Sequence, residues 1–184
     1  PAGLHWDASF KGDGTAMAAG DFNKLRKRPA VCFIQGVNSN SPSEPLWDTT
    51  GGKFGPFAGQ MFMGDGNRSI LLRSTLEKAG GEYQGACYPF QTGKDLGGGI
   101  NRLAWSSDGV LYMGQTARGW GAGEGLRKMS WTGTVPLEIH TMRLTKNGFD
   151  LVFTRPVDAA TAEIADAYSF QHYHYHYHAT YGSP

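Results

Sequence analysis

The chain has 184 residues, 17 basic and 16 acidic, with a formal charge of +1, so electrostatics gives no reason to expect nucleic acid or an anionic membrane as partner. Hydrophobic residues make up 40%, which suits a packed domain, or a domain with a small module, and excludes disorder throughout. No apolar run reaches the length of a membrane span, while 27 glycines and 12% aromatics favour short strands and tight turns over packed helices.

Residues 1–20 are small, polar and Gly-rich and read as loop, with one short strand near Leu4. The opening Pro1-Ala-Gly-Leu-His-Trp has no basic-then-apolar leader and reads as the middle of a longer chain. Asp21 can cap a helical turn through Asn23–Lys27, ended by Arg28-Pro29. The basic residues there fit a solvated helix face better than an anion site. Ala30–Ile34 has the composition of a short buried strand. Asn38–Pro45 is turn material, and Thr49–Phe57 is a long loop studded with aromatics.

Two copies of one pattern follow. Phe62-Met63-Gly64 and Tyr112-Met113-Gly114 each lead through a polar turn to an apolar strand carrying Arg, and Met63 precedes Met113 by 50 positions. Repeats of ~40–50 residues built from short strands and Gly turns are the signature of propeller blades. Gly81–Phe90 reads as a strand leading into a loop, and Gly97–Gly99 as a flexible approach to the next strand. Asp108-Gly109 is a hairpin turn, which makes Val110–Gly114 an inner blade strand. The residues after the two Met-Gly pairs, Asp65–Arg68 and Gln115–Arg118, then fall on loops at one face.

After Gly133 the texture changes. Leu137–Leu144 alternates as a strand, Lys146–Gly148 is a tight turn with a strong hairpin signal, and Phe149–Phe153 is the return strand. Thr161–Ala167 can make a short helical turn, and Phe170–His178 reads as a closing strand. The expected fold is therefore all-β: a partial β-propeller over residues 1–134, followed over 135–184 by a small immunoglobulin-like module with too few strands to close a sandwich.

Four histidines alternate with tyrosines in that last strand. In extended backbone His172, His174, His176 and His178 share one face, with neighbours ~6–7 Å apart, and Tyr173, Tyr175 and Tyr177 share the other. Two imidazoles at that spacing can converge on Cu or Zn if another strand supplies a third ligand. The competing reading is a two-faced strand with its rings packed and its imidazoles in water. Arg118, between Gln115 and Trp120, can hold a carboxylate or an oxygen-rich ring by forked hydrogen bonds and stacking. Its alternative is to brace a loop through backbone carbonyls. Asp65-Gly-Asn67 lacks the spaced acids of a calcium loop and reads as a turn. Cys32 and Cys87 lie far apart, in no metal-type spacing, and fit either one disulfide or two thiols.

Several stretches carry a family resemblance: Pro1–Trp6, Leu25–Val31, Gly51–Gln60, Tyr83–Phe90, Gly114–Trp120, Asp150–Asp158 and Tyr181–Pro184. The first five resemble the C-terminal part of the glucose/sorbosone dehydrogenase-like β-propellers of bacteria, and the last two resemble the module that follows that propeller. The resemblance implies the last two or three blades of a six-bladed ring in a periplasmic or secreted protein. It implies oxidation of an aldose with pyrroloquinoline quinone (PQQ) and calcium, and electron transfer to a c-type cytochrome. The family's catalytic His lies in an early blade and has no counterpart here, so the catalytic residues are unknown and a missing propeller segment is an expected partner. Arg118, with Gln115 and Trp120, is the expected cofactor contact. The other class of function consistent with these residues is a non-catalytic propeller face for carbohydrate or protein, with the His-rich strand as a metal-binding or assembly element.

Overall fold

The computed structural model describes His5–Trp6, Lys24 and residues 26–172 apart from Ala122. Its eleven strands among these residues are β1 (His5–Trp6), β2 (Arg26–Lys27), β3 (Pro42–Trp47), β4 (Met61–Asp65), β5 (Ile70–Ala79), β6 (Glu82–Thr92), β7 (Ile100–Trp105), β8 (Leu111–Gln115), β9 (Gly125–Met129), β10 (Ile139–Thr145) and β11 (Gly148–Phe153). One short helix, α1 (Ala159–Ala162), is capped by Asp158, whose carboxylate accepts from Thr161 N–H. The fold is all-β.

Every sheet is antiparallel. β3-β4-β5-β6 form a four-stranded meander and β7-β8-β9 a three-stranded one, while β1-β2 and β10-β11 are two-stranded. None of the sheets closes on itself. The two larger sheets meet where β7 lies against β3 and β4. At this junction Trp105 donates its indole N–H to Trp47 O at 2.8 Å.

The repeat seen in the sequence is a repeat of position in the fold. β4 and β8 are the second strands of their sheets, and each residue of Met61–Asp65 stands 50 places before its counterpart in Leu111–Gln115. β8 is thus interior to its sheet. The expectation that Val110–Gly114 is the inner strand is corrected: β7 takes the place beside the other sheet, because it pairs with β8 on one side only and packs on β3 and β4 with the other.

The core lies between the sheets. Phe54 and Phe57, from the β3–β4 loop, join Phe62 and Leu71 of the first sheet and Ile100, Leu103, Leu111 and Met113 of the second. The rings meet edge to face, with centroids 4.8 Å apart for Phe54–Trp105, 5.6 Å for Phe54–Phe62 and 5.0 Å for Phe62–Phe90. Such pairs add about 0.5–1.5 kcal/mol each beyond the area they bury. The aromatic loop of Thr49–Phe57 is therefore core, not surface decoration.

The β10–β11 hairpin is fastened to the first sheet by Arg73. Its guanidinium is 1% exposed and lies 4.7 Å from the ring centres of both Phe57 and Tyr88. It donates to Ile139 O at 2.7 Å, to His140 O at 3.1 Å and to Glu138 Oε2 at 3.3 Å, as well as to Gln60 Oε1. The His140 ring nitrogen meets Pro56 O at 2.7 Å.

Other expectations change as well. Asn38–Pro45, expected as a turn, gives Pro42–Pro45 to β3. Ala30–Ile34 is not a strand: Ile34 O accepts from the N–H groups of Val37, Asn38 and Ser39, and Asn38 Oδ1 takes Ile34 N–H, so a local turn uses the bonds a sheet would need. Arg26–Lys27, expected in a helical turn, pair as a strand with His5–Trp6. In the hairpin, Lys146 and Asn147 make the two-residue turn, and Gly148 opens β11 opposite Thr145. Phe170–His172 carry no strand; the Phe170 ring instead stacks on Phe149 at 6.2 Å. The rest of that expected strand, 173–178, lies outside the described residues. The strand expected near Leu4, the Asp108-Gly109 turn, the β10–β11 hairpin and the helical turns after Thr161 correspond to β1, the β7–β8 turn, the hairpin itself and the segments Ala159–Ala162 and Ala165–Ala167.

Candidate ligand cleft at the loop ends

β3 and β7 begin, and β4 and β8 end, at the same end of the paired sheets, since Pro42 pairs with Asp65 and Ile100 with Gln115. The loops 39–41, 66–69, 97–99 and 116–121 therefore gather there. The last residue of each second strand organises the loop before its neighbour. Asp65, fully buried, accepts five hydrogen bonds: from Ser39 Oγ (2.6 Å), Asn40 N (2.5 Å) and Ser41 N (2.9 Å) on one oxygen, and from Asn67 N (2.8 Å) and Arg68 N (2.9 Å) on the other. Burial pushes this carboxyl up, but the hydrogen bonds from Ser39, Asn40, Ser41 and Asn67 outweigh it and hold it below the usual carboxylate range. Gln115, at the equivalent place, donates to Leu96 O at 2.5 Å and Gly98 O at 3.1 Å.

Between these loops lies a cleft of about 250 Å³, lined by Ser41, Ser43, Asn101, Thr116, Arg118 and Trp120 with the backbone of Gly66 and Gly121. Its wall at 116–121 is a tight turn: Arg118 N–H donates to Thr116 Oγ1 (3.1 Å) and Gly121 N–H to Arg118 O (3.2 Å). A relay from the first sheet holds it, with Asn40 Nδ2 donating to Asn67 Oδ1 (3.1 Å) and Asn67 Nδ2 to Trp120 O (2.7 Å). Trp120 is 77% exposed. An indole so bare, on a turn whose backbone is fixed, is a flat apolar platform with little conformational entropy to lose on binding. The Arg118 guanidinium makes no hydrogen bond or ion pair among the described residues, so it does not brace the loop; the backbone does that.

Of the expected cofactor contacts, the fold brings Arg118 and Trp120 into one cleft and assigns Gln115 to the support beneath it. Asn101, Ser41 and Ser43 were not singled out in the sequence. They are small polar residues at strand starts, and only the pairing of two sheets gives them a common neighbour. Asp65, one residue before Gly66 of the cleft wall, has both oxygens taken by N–H and O–H donors and so offers no free oxygen to a calcium ion.

Of the proposed metal strand only His172 is described, and it is exposed. Among the described residues no cluster of three His, Cys, Asp or Glu could hold an ion. Cys32 and Cys87 are thiols; burial pushes Cys87 up to about 11, against smaller lowering contributions from Ser74 and Arg73. A larger cleft of about 390 Å³ lies over β9, between Asp95 and Leu126, and has no aromatic platform. No described helix is long and apolar enough to cross a membrane. Compared with known protein families, with curated proteins and with solved structures, the chain matches none of them.

Proposed function

We propose that this chain is part of a β-propeller whose loop-end cleft binds a sugar. Two meanders with equivalent strands 50 residues apart, meeting side by side, support the propeller reading. The outer edge of β9 pairs with no strand among the described residues, which suits a ring completed by a further propeller segment. The hairpin beginning at Ile139 is the start of an immunoglobulin-like extension in this reading. The observation that carries the function is Trp120, 77% exposed at a cleft bordered by hydroxyl and amide groups and the Arg118 guanidinium. Sugars present an apolar ring face and a rim of hydroxyls, and that pairing matches an aromatic platform with a polar border.

In its fullest form the proposal makes this the C-terminal part of a secreted, sugar-dehydrogenase-like propeller oxidising an aldose. A bound quinone would supply the two-electron chemistry, and a c-type cytochrome would take the electrons. Arg118 and Trp120 would orient the ring, and the neighbouring amide and hydroxyls would fix its hydroxyl pattern. One observation favours the second reading, a recognition module without catalysis. None of the described residues lining the cleft is a carboxylate or imidazole able to take a hydroxyl proton.

Calorimetry with glucose and short neutral glycans tests the binding. Detectable binding is expected, at least about tenfold weaker (~1.4 kcal/mol) in Trp120→Ala; no binding, or equal binding by the variant, overturns the proposal. Dye reduction with aldoses after adding PQQ and calcium separates the two forms. Turnover supports the dehydrogenase, and sugar binding without turnover supports the module.

A further inference from the structure

We infer that the cleft selects acidic sugars, with Arg118 receiving the carboxylate of a uronate whose ring lies on Trp120. The inference rests on the sugar-binding proposal and narrows its ligand class. Arg118 is the one charged side chain lining the cleft; its companions Ser41, Ser43, Asn101 and Thr116 are neutral. The guanidinium is uncommitted among the described residues, whereas comparable groups nearby are spoken for. Arg68 donates to Val37 O at 3.2 Å, Asn67 is held between Asn40 and Trp120 O, and Asp65 has both oxygens occupied by five donors. The cleft thus presents a positive charge with no acid facing it from its lining.

The geometry favours a carboxylate attached to a ring. Arg118 and Trp120 belong to one four-residue turn closed by the Gly121 N–H to Arg118 O bond at 3.2 Å. The cation and the stacking platform are therefore a fixed, short distance apart along the backbone. In a uronate the carboxylate sits directly on the ring, so one small molecule can engage both. A guanidinium receives a carboxylate through two parallel N–H bonds, which a neutral hydroxymethyl group cannot reproduce. Because the site is open to solvent, the preference is expected to be moderate and weakened by salt.

Calorimetry on the full chain with glucuronate and a galacturonate trimer, against glucose and a neutral trisaccharide, tests this. Wild type is expected to bind the acidic members about tenfold more tightly at low salt, and less selectively at high salt. Arg118→Gln is expected to erase the preference, bringing acidic-sugar affinity down to that for the neutral sugars. Arg118→Lys should keep only part of it, because an ammonium lacks the fork. The variants lie on an exposed turn, and matching thermal melts would confirm that they fold. Equal affinity of wild type for acidic and neutral sugars overturns the inference and leaves the sugar-binding proposal standing. So does a preference that survives Arg118→Gln, or glucose 6-phosphate binding more tightly than glucuronate. Binding of neither class overturns both.

Discussion

Asp65 shows how one side chain can fix two loops at once. Its carboxylate gathers four backbone N–H groups and a hydroxyl from segments on either side of β4. An amide at this position could accept on its oxygen but would turn N–H against N–H at its nitrogen. Asp65→Asn is therefore expected to cost about 3 kcal/mol at pH 7, since buried donors lose a charged acceptor. Urea unfolding would measure it. The pH dependence follows from the direction of the shift. A carboxyl held below its ordinary value in the folded state stabilises the protein above the unfolded value of about 3.9, and that contribution is lost as the pH falls through the lower folded value. Wild-type stability should fall steeply below about pH 4, and Asp65→Asn should show a shallower fall. The sequence reading of Asp65-Gly-Asn67 as a turn rather than a calcium loop anticipated this. What it lacked was Ser39–Ser41, which come from 24–26 residues upstream.

At the scale of the element, the second strands make a controlled pair. Gly64 and Gly114 occupy equivalent places in β4 and β8, yet their surroundings differ. A Cβ on Gly64 would fall 2.3 Å from Ile100 Cγ2, and one on Gly114 only 3.5 Å from Arg102 Cβ. Gly64→Ala must push β7 away from the first sheet and is expected to cost roughly 1–3 kcal/mol, as overpacking does. Gly114→Ala meets ordinary contact and should change stability by less than about 1 kcal/mol. Thermal melts of the two variants would show it, and equal losses would refute the packing difference. The Met-Gly repeat was legible in the sequence because both copies keep the same residue types at the same spacing. Ala30–Ile34 was misread for the opposite reason. Its side chains suit a strand, but Asn38 and the turn after Ile34 capture its backbone bonds. Gln115 was grouped with Arg118 and Trp120 by nearness in sequence; the strand end between them sends its side chain to Leu96 and Gly98 instead.

For the whole molecule, the attachment of the hairpin turns on Arg73. In the sequence this residue is no more than the Arg carried by the apolar strand that follows the first Met-Gly pair. The structure places it between two rings and gives it backbone carbonyls from β10 as acceptors. Arg73→Met keeps much of the volume but strands those carbonyls together with Glu138. A loss of about 3 kcal/mol or more is expected, in the range for breaking a buried charged network. Hydrogen exchange should report it first, as faster exchange in 139–145 than in β7–β9. Uniform acceleration across both sheets would mean that the hairpin is not separately held. Glu138→Gln should cost less than about 1 kcal/mol, because Glu138 is 28% exposed and one of several acceptors. The cleft was only partly legible in the sequence: the loops carrying Arg118 and Asp65 were expected on one face, while its polar rim depends on how two sheets meet.

The pairing of Asp65 with Gln115 carries one more consequence. At the same place in two repeats, one side chain collects N–H groups and the other collects carbonyls. Each loop is thus keyed to the polarity of a residue that follows it in the chain, at the end of the second strand after it. Recombination between the repeats, in the laboratory or in descent, would have to move loop and key together. The cassettes 39–65 and 96–115 should transplant intact, and a crossover inside either would set donor against donor or acceptor against acceptor.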